Sequence, residues 1–157
     1  MKRLSSVLLA AFFIIAGYSA SADDQSTIGL QARGFADCHG GSGGKVIRVT
    51  NLDAEGPGSF RAALEAEGPR IVVFEVGGVI DLDMKSLVIA KPFLTVAGQT
   101  APSPGITVIR GPIYIKTHDI LVQHIRVRPG DAGQPSRSGW QPDGISTTGG
   151  HEYKIKI

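Results

Sequence analysis

Residues 106–128 read ITVIRGPIYIKTHDILVQHIRVR. Within them Ile106–Arg110, Ile113–Lys116 and Ile120–Val127 are short runs dominated by isoleucine and valine. Gly111-Pro112 separates the first two, and polar Thr117-His118-Asp119 separates the second from the third. β-Branched runs bounded by turn-forming residues predict strands rather than helices. The same grammar continues upstream through Arg70–Val76, Val79–Leu82, Leu87–Ala90 and Phe93–Ala97. The breaks there are Gly77-Gly78, Lys91-Pro92, Gly98 and Pro102–Gly105. Lys45–Thr50 precedes the series, and Gly144–Thr147 and Tyr153–Ile157 follow it.

A single good helix signal interrupts the strands. Glu55–Gly58 (EGPG) is turn-like, Ser59 is a capping residue, and Phe60 to Gly68 places Phe60, Ala63, Leu64 and Glu67 at helical spacing before Gly68-Pro69 ends the run. Two turns with one apolar face cover a sheet; they do not make a core. Alternating strands and helices are absent, which argues against a doubly wound sheet. Two all-β architectures remain open on pattern alone. One is a sandwich or barrel. The other is a right-handed parallel β-helix, whose short strands stack in successive coils and bury a core only by stacking.

The composition agrees with many turns. The 157 residues include 21 glycines and nine prolines, with no G-X-Y period. Sixteen Lys and Arg against fourteen Asp and Glu leave a formal charge of +2. That excludes a polycation and the electrostatic footprint of a nucleic-acid binder. The glycine-rich stretch GLQARGFADCHGGSGG (29–44) has no GxxxxGK[ST] pattern and no helix directly after it, so phosphate-loop and dinucleotide readings fail. Cys38 is the only cysteine and makes no intrachain disulfide.

At the start, Lys2 and Arg3 precede the apolar run Val7–Gly17 and the small-residue pattern Ala20-Ser21-Ala22. This is the layout of a signal peptide over residues 1–22, too short in its apolar part to cross a bilayer. It predicts a secreted or periplasmic protein with no membrane partner after removal, and a folded part within 23–157.

Several side chains are candidates for ligand contact. Along Ile120–Arg128, read as one strand, Leu121, Ile125 and Val127 fall on one face and Ile120, Val122, His124, Arg126 and Arg128 on the other. Arginines at strand spacing suit the carboxylates of an extended acidic polymer. Arg110, Lys116, Lys154 and Lys156 add charge from neighbouring strands; a plain solvated face with ion pairs fits the same pattern. The aperiodic loop Pro129–Pro142 holds Trp140, the only tryptophan, whose flat face suits either a sugar ring or a core edge. Asp131 and Asp143 flank the loop and are candidate ligands for a hard cation such as Ca²⁺, which takes six to eight oxygens. The histidines lack HExxH spacing, so zinc is not indicated. Adjacent Cys38 and His39 make only a weak case for a thiol hydrolase.

The stretches KVIRVTNLDAEGPGSFRAALEAEGPRIVVFEVGGVIDL (45–82), PFLTVAGQTAPSPGITVIRG (92–111), THDILVQHIRVRPGDAG (117–133) and WQPDGIST (140–147) resemble, in wording and order, the N-terminal part of the pectate lyase-like family of polysaccharide lyases. The resemblance implies a right-handed parallel β-helix with Ser59–Glu67 as its N-terminal capping helix. It implies an acidic polysaccharide such as polygalacturonate on one outer sheet, and Ca²⁺-assisted β-elimination. There the metal acidifies the proton beside the uronate, an arginine takes it and the 4-O oxygen leaves. Asp143 is similar to the family's first calcium-ligand aspartate in a D-(A/G)-I-(S/T) strand opening, with Asp131 a weaker candidate. Arg126, Arg128, His124, Lys116 and Trp140 become candidate substrate contacts, and no residue matches the catalytic base. Relatives continue with a strand like nVxIDHCSxSW, further acidic ligands and the base, whereas Gly149-Gly150-His151-Glu152-Tyr153 here runs into KIKI. The chain is therefore expected to hold only the N-terminal coils and to be inactive alone. A non-catalytic carbohydrate-binding or surface β-helix is the alternative.

Overall fold

The computed structural model describes residues 37–148, 150 and 153–157. The expected signal peptide, and His151 and Glu152, lie outside the described residues. Among the described residues eleven strands and one α-helix are formed: β1 (Lys45–Val49), α1 (Phe60–Glu65), β2 (Arg70–Phe74), β3 (Gly78–Asp81), β4 (Leu87–Ile89), β5 (Leu94–Ala97), β6 (Ile106–Ile109), β7 (Ile113–Ile115), β8 (Ile120–Gln123), β9 (Ile125–Arg128), β10 (Ile145–Thr147) and β11 (Ile155–Lys156). No helix among the described residues is long and apolar enough to cross a membrane.

Every strand pairing is parallel, and the strands sort into three sheets. The first sheet runs β1-β2-β5-β8-β11, the second β3-β6-β9 and the third β4-β7-β10. Chain order visits first, second and third sheets in turn and then returns, so each circuit is one coil of a right-handed parallel β-helix. Like residues stack on like in the interior. Val72, Val96 and Val122 align in the first sheet, and Leu87, Ile113 and Ile145 in the third. The register carries Arg70 onto Leu94, Leu94 onto Ile120 and Ile120 onto Ile155. The last step is the longest because residues 129–144 loop out before β10.

Short coils need sharp corners. Phe93, Asp119 and Lys154 have φ of 57°, 54° and 54° and stand directly before β5, β8 and β11. Their carbonyls accept from the main chain of the preceding coil: Phe93 from Arg70, Asp119 from Leu94 at 3.1 Å, Lys154 from Ile120 at 3.2 Å. Stacked left-handed residues thus hold one edge of the solenoid while keeping its buried amides paired.

The helix caps the N-terminal end, as expected, but is shorter than predicted. Ser59 accepts from Ala62 N–H at 3.2 Å, and Phe60, Ala63 and Leu64 are buried, with Phe60 tilted against Phe74 at 5.3 Å. It ends at Glu65 rather than Gly68. The carbonyls of Ala63 and Leu64, which a longer helix would use, instead accept from the Arg70 guanidinium at 3.3 and 2.5 Å.

The Ile120–Val127 run is two strands, not one. His124, at φ 55°, turns the chain from the first sheet into the second. The turn also reverses the phase: Ile120 and Val122 point inward before it, and Ile125 and Val127 pack on the core after it. The single polar face expected to carry His124, Arg126 and Arg128 in line does not exist. A lone left-handed residue inside an apolar run leaves no trace in hydrophobic periodicity.

Candidate functional site

The third sheet presents Val88, Tyr114 and Ser146 outward in one row, between inward Leu87/Ile89, Ile113/Ile115 and Ile145. Over one end of this row folds the loop 129–144, and its sequence explains its shape. Asp131 closes two local bonds, accepting from Gly133 N–H at its carboxylate and from Gln134 N–H at its carbonyl, both at 2.9 Å. Trp140 Nε1 donates to Gly130 O at 3.0 Å, which fixes the indole across the loop. Gln134 Nε2 reaches the sulfur of Met84 at 3.6 Å, tying the loop to the turn after β3. The gap between the two is a cleft of about 300 Å³ bounded by Met84, Ser86, Pro112, Tyr114, Trp140 and Gln141. An open, mainly polar concavity with two aromatic rings in its lining can hold a sugar ring.

Asp143 stands at the entrance of β10. Its Oδ2 accepts from Ser146 Oγ at 3.1 Å, and the adjoining Gly144 carbonyl accepts from Ile113 N–H, locking β10 onto β7. Asp143 and Trp140 therefore come from the same loop and border the same sheet. Asp131 is committed to its own turn. Among the described residues no three His, Cys, Asp or Glu side chains gather as a metal-holding set. Two carboxylates, each already accepting within its turn, do not make a calcium site by themselves.

The basic candidates are dispersed. Arg126 and Arg128 project from the second sheet, in register with Thr107 and Ile109. Arg126 lies back on the preceding coil, donating to Thr107 Oγ1 at 3.1 Å and Pro104 O at 3.0 Å. Arg110 is neutralised by Asp81 at 2.7 Å and Asp83 at 3.2 Å; the Asp81 bond raises its pKa further and lowers that of Asp81. Lys116 follows the far end of β7, at the corner opposite the loop. His124 is the corner between the first and second sheets. The structure thus places Trp140 and Asp143 on one loop, keeps Arg126 and Arg128 on an adjacent sheet, and puts Lys116 and His124 at other corners.

Sequence reading missed Tyr114, Met84 and Ser86. The signal for Tyr114 was present: in Ile113-Tyr114-Ile115 alternation points the ring outward from two buried isoleucines. Met84 had none, because its place depends on a loop fifty residues later. The thiol hydrolase idea gains nothing: burial pushes the Cys38 thiol up, away from the thiolate a nucleophile needs.

No family model matches the chain. Curated relatives do. A probable pectate lyase C of Emericella nidulans is 47% identical over 110 residues, 69% of this chain and 25% of that protein. Proteins of the same name from Neosartorya fischeri and Aspergillus flavus are 45% and 44% identical over 108 residues, 68% of this chain and 25% of each. The chain spans about a quarter of the length of these relatives. Shared wording over two thirds of the chain and a stacked parallel-strand fold agree, and the chain belongs to the pectate lyase-like family.

Proposed function

We propose that this chain forms polysaccharide-facing coils of a secreted or periplasmic lyase acting on polygalacturonate or a related acidic polysaccharide by Ca²⁺-assisted β-elimination. The observation that carries it is the cleft between Tyr114 and Trp140, lined by the loop that runs on into Asp143, on a scaffold whose relatives are named pectate lyases. Asp143 supplies one carboxylate toward a calcium site; further oxygen ligands come from outside the described residues. Arg126 and Arg128 provide positive potential on the adjoining sheet.

Neither Arg70 nor Arg110 suits the role of base, which needs a lowered pKa at an accessible site. Arg110 is held protonated by Asp81. Arg70 is lowered by burial, yet its guanidinium is wrapped in main-chain carbonyls. The 157-residue chain is expected to bind without cleaving. Incubated with polygalacturonate and Ca²⁺, it should produce no unsaturated uronide absorbance while being retained on immobilised polymer. Formation of unsaturated product would overturn the inactive reading, and lack of retention would overturn the binding one.

Arg126 and Arg128, exposed on the second sheet, favour as a second reading a carbohydrate-binding β-helix without catalysis. Salt-sensitive retention that falls with Arg126→Ala and Arg128→Ala but survives Asp143→Asn supports that reading over the lyase.

A further inference from the structure

Met84 fastens the loop 129–144 to an earlier coil through its sulfur. It stands in the turn after β3 at φ 63°, and its own N–H donates to Arg110 O at 2.7 Å. Asp83 before it is also left-handed, at φ 49°, with its N–H on Asp81 Oδ1 at 3.0 Å. This pinned turn leaves Met84 37% exposed on the wall of an open cleft, within reach of small solutes. Gln134 Nε2 donates to the sulfur at 3.6 Å, whereas the bonds of Asp131 and Trp140 close within the loop itself. The tie between loop and coil thus runs through a thioether, a weak acceptor.

We infer that Met84 is an oxidation site, and that its conversion to the sulfoxide by a peroxide releases the loop 129–144 from the turn after β3. A sulfur lone pair attacks one peroxide oxygen, so an S–O bond forms as the O–O bond breaks. The departing hydroxide takes the proton of the transferred oxygen and leaves as water. Sulfur is oxidised by two electrons and the peroxide is reduced. Oxygen added toward Gln134 takes the space of its amide and pushes it back. Oxygen added on the other side leaves a poorer acceptor and brings a hydrated dipole into the cleft wall. The thioether needs no deprotonation to react, whereas burial pushes the Cys38 thiol up and keeps it protonated in mild acid. Oxidation acts on the loop whatever the cleft holds, so its test reads the loop and not a ligand.

Trp140 is the only tryptophan of the chain, and Met1 and Met84 are its only methionines. The full chain is treated with hydrogen peroxide at about pH 5, where the thiol is protonated. Peptide mass mapping should place one added oxygen on Met84. Trp140 emission should then shift to the red and be quenched more strongly by acrylamide, with far-ultraviolet circular dichroism unchanged. Methionine sulfoxide reductases for the two epimers should reverse both changes. Met84→Leu has no sulfur to oxidise, and peroxide should leave its emission where it was. Met84 left unmodified while free N-acetylmethionine in the same solution is oxidised overturns the inference. Oxidation of Met84 with Trp140 emission unmoved, or with weaker quenching, overturns it as well. A peroxide-induced shift in Met84→Leu equal to that of the parent assigns the effect elsewhere and overturns it. Collapse of the circular dichroism on oxidation also overturns it, because the release is confined to the loop.

Discussion

The Oδ2 of Asp119 lies 2.9 Å from Nδ1 of His118, while its Oδ1 accepts from the main-chain N–H of His39 at 3.4 Å. This carboxylate is 4% exposed and joins three parts of the solenoid. The His118 ring stacks on Tyr153 at 4.7 Å and meets Phe93 edge-on at 5.4 Å, so its place is fixed from the coils on either side. The His39 bond pins the segment that lies over the first sheet, where Gly41 N–H donates to Thr95 Oγ1 at 2.9 Å. Asp119 is at once a left-handed corner, a rung between coils and the anchor of that segment.

Burial alone would push the Asp119 carboxyl up, but the bonds from His118 and His39 and the nearby Lys154 outweigh it and hold it below the usual carboxylate range. A depressed folded-state pKa gives stability that is present above the unfolded value of about 3.9 and lost as pH falls through the folded value. Asp119→Asn keeps a side chain tolerant of positive φ, removes the charge and leaves one acceptor oxygen where the carboxylate uses two. It should cost about 1–2 kcal/mol at neutral pH. It should also flatten the acid limb of urea-unfolding midpoints measured between neutrality and pH 3. An acid limb as steep as that of the parent would count against the rung.

Arg70 is fully buried, and its guanidinium donates to carbonyls of Ala63, Leu64, Gly68, Lys91 and Pro92. It terminates α1 and ties the cap to the corner before β5. Carbonyl dipoles solvate the cation, and the nearby Glu67 carboxylate favours its charged form against the cost of burial. Arg70→Met fills similar volume but strands those carbonyls, and should lower stability by about 3 kcal/mol. Arg70→Lys offers a point charge to a site built for a fork and should recover less than half of that loss. Chemical unfolding of the two variants tests the order; a lysine variant equal to the parent would refute the fork.

Two glycines in the same segment should respond differently. A Cβ at Gly41 would meet the Arg70 carbonyl oxygen at 1.8 Å, backbone that cannot yield. Gly43 has open space around its Cβ position and only a φ of 71° against it. Gly41→Ala should therefore cost about 3 kcal/mol or more, and Gly43→Ala about 1 kcal/mol, the ordinary penalty of a left-handed alanine. Thermal midpoints that fall equally would show that the segment does not lie tightly on β2.

Strand positions were legible because valine and isoleucine runs between glycine and proline report burial directly, and most ends moved by one or two residues. The choice of solenoid over sandwich was not, since parallel and antiparallel neighbours bury the same residues. Only the order of family-like stretches decided it. The α1 terminus was missed because Arg70, five residues past Glu65, competes for its carbonyls. In the candidate site, Trp140 and Asp143 stood out by rarity and by motif, whereas the cleft that Trp140 lines needs Tyr114 and Met84 from two earlier coils. Contacts of that range are set by coil length, and coil length depends on corners that hydropathy does not register.

The corner at His124 makes the sharpest case. Its carbonyl region lies against Gly98, where a Cβ would meet the Gln123 and His124 oxygens at 2.4 and 2.5 Å, so successive corners touch through backbone. With φ at 55°, position 124 tolerates asparagine and glycine and resists β-branched residues. His124→Asn should leave stability within about 0.5 kcal/mol of the parent, and His124→Val should lower it by about 1–3 kcal/mol. Because the corner lies between the first and second sheets, away from the Tyr114–Trp140 cleft, His124→Asn should also leave retention on polygalacturonate unchanged. If that substitution weakens retention while unfolding stays the same, His124 returns to the list of ligand contacts and the cleft alone does not define the site.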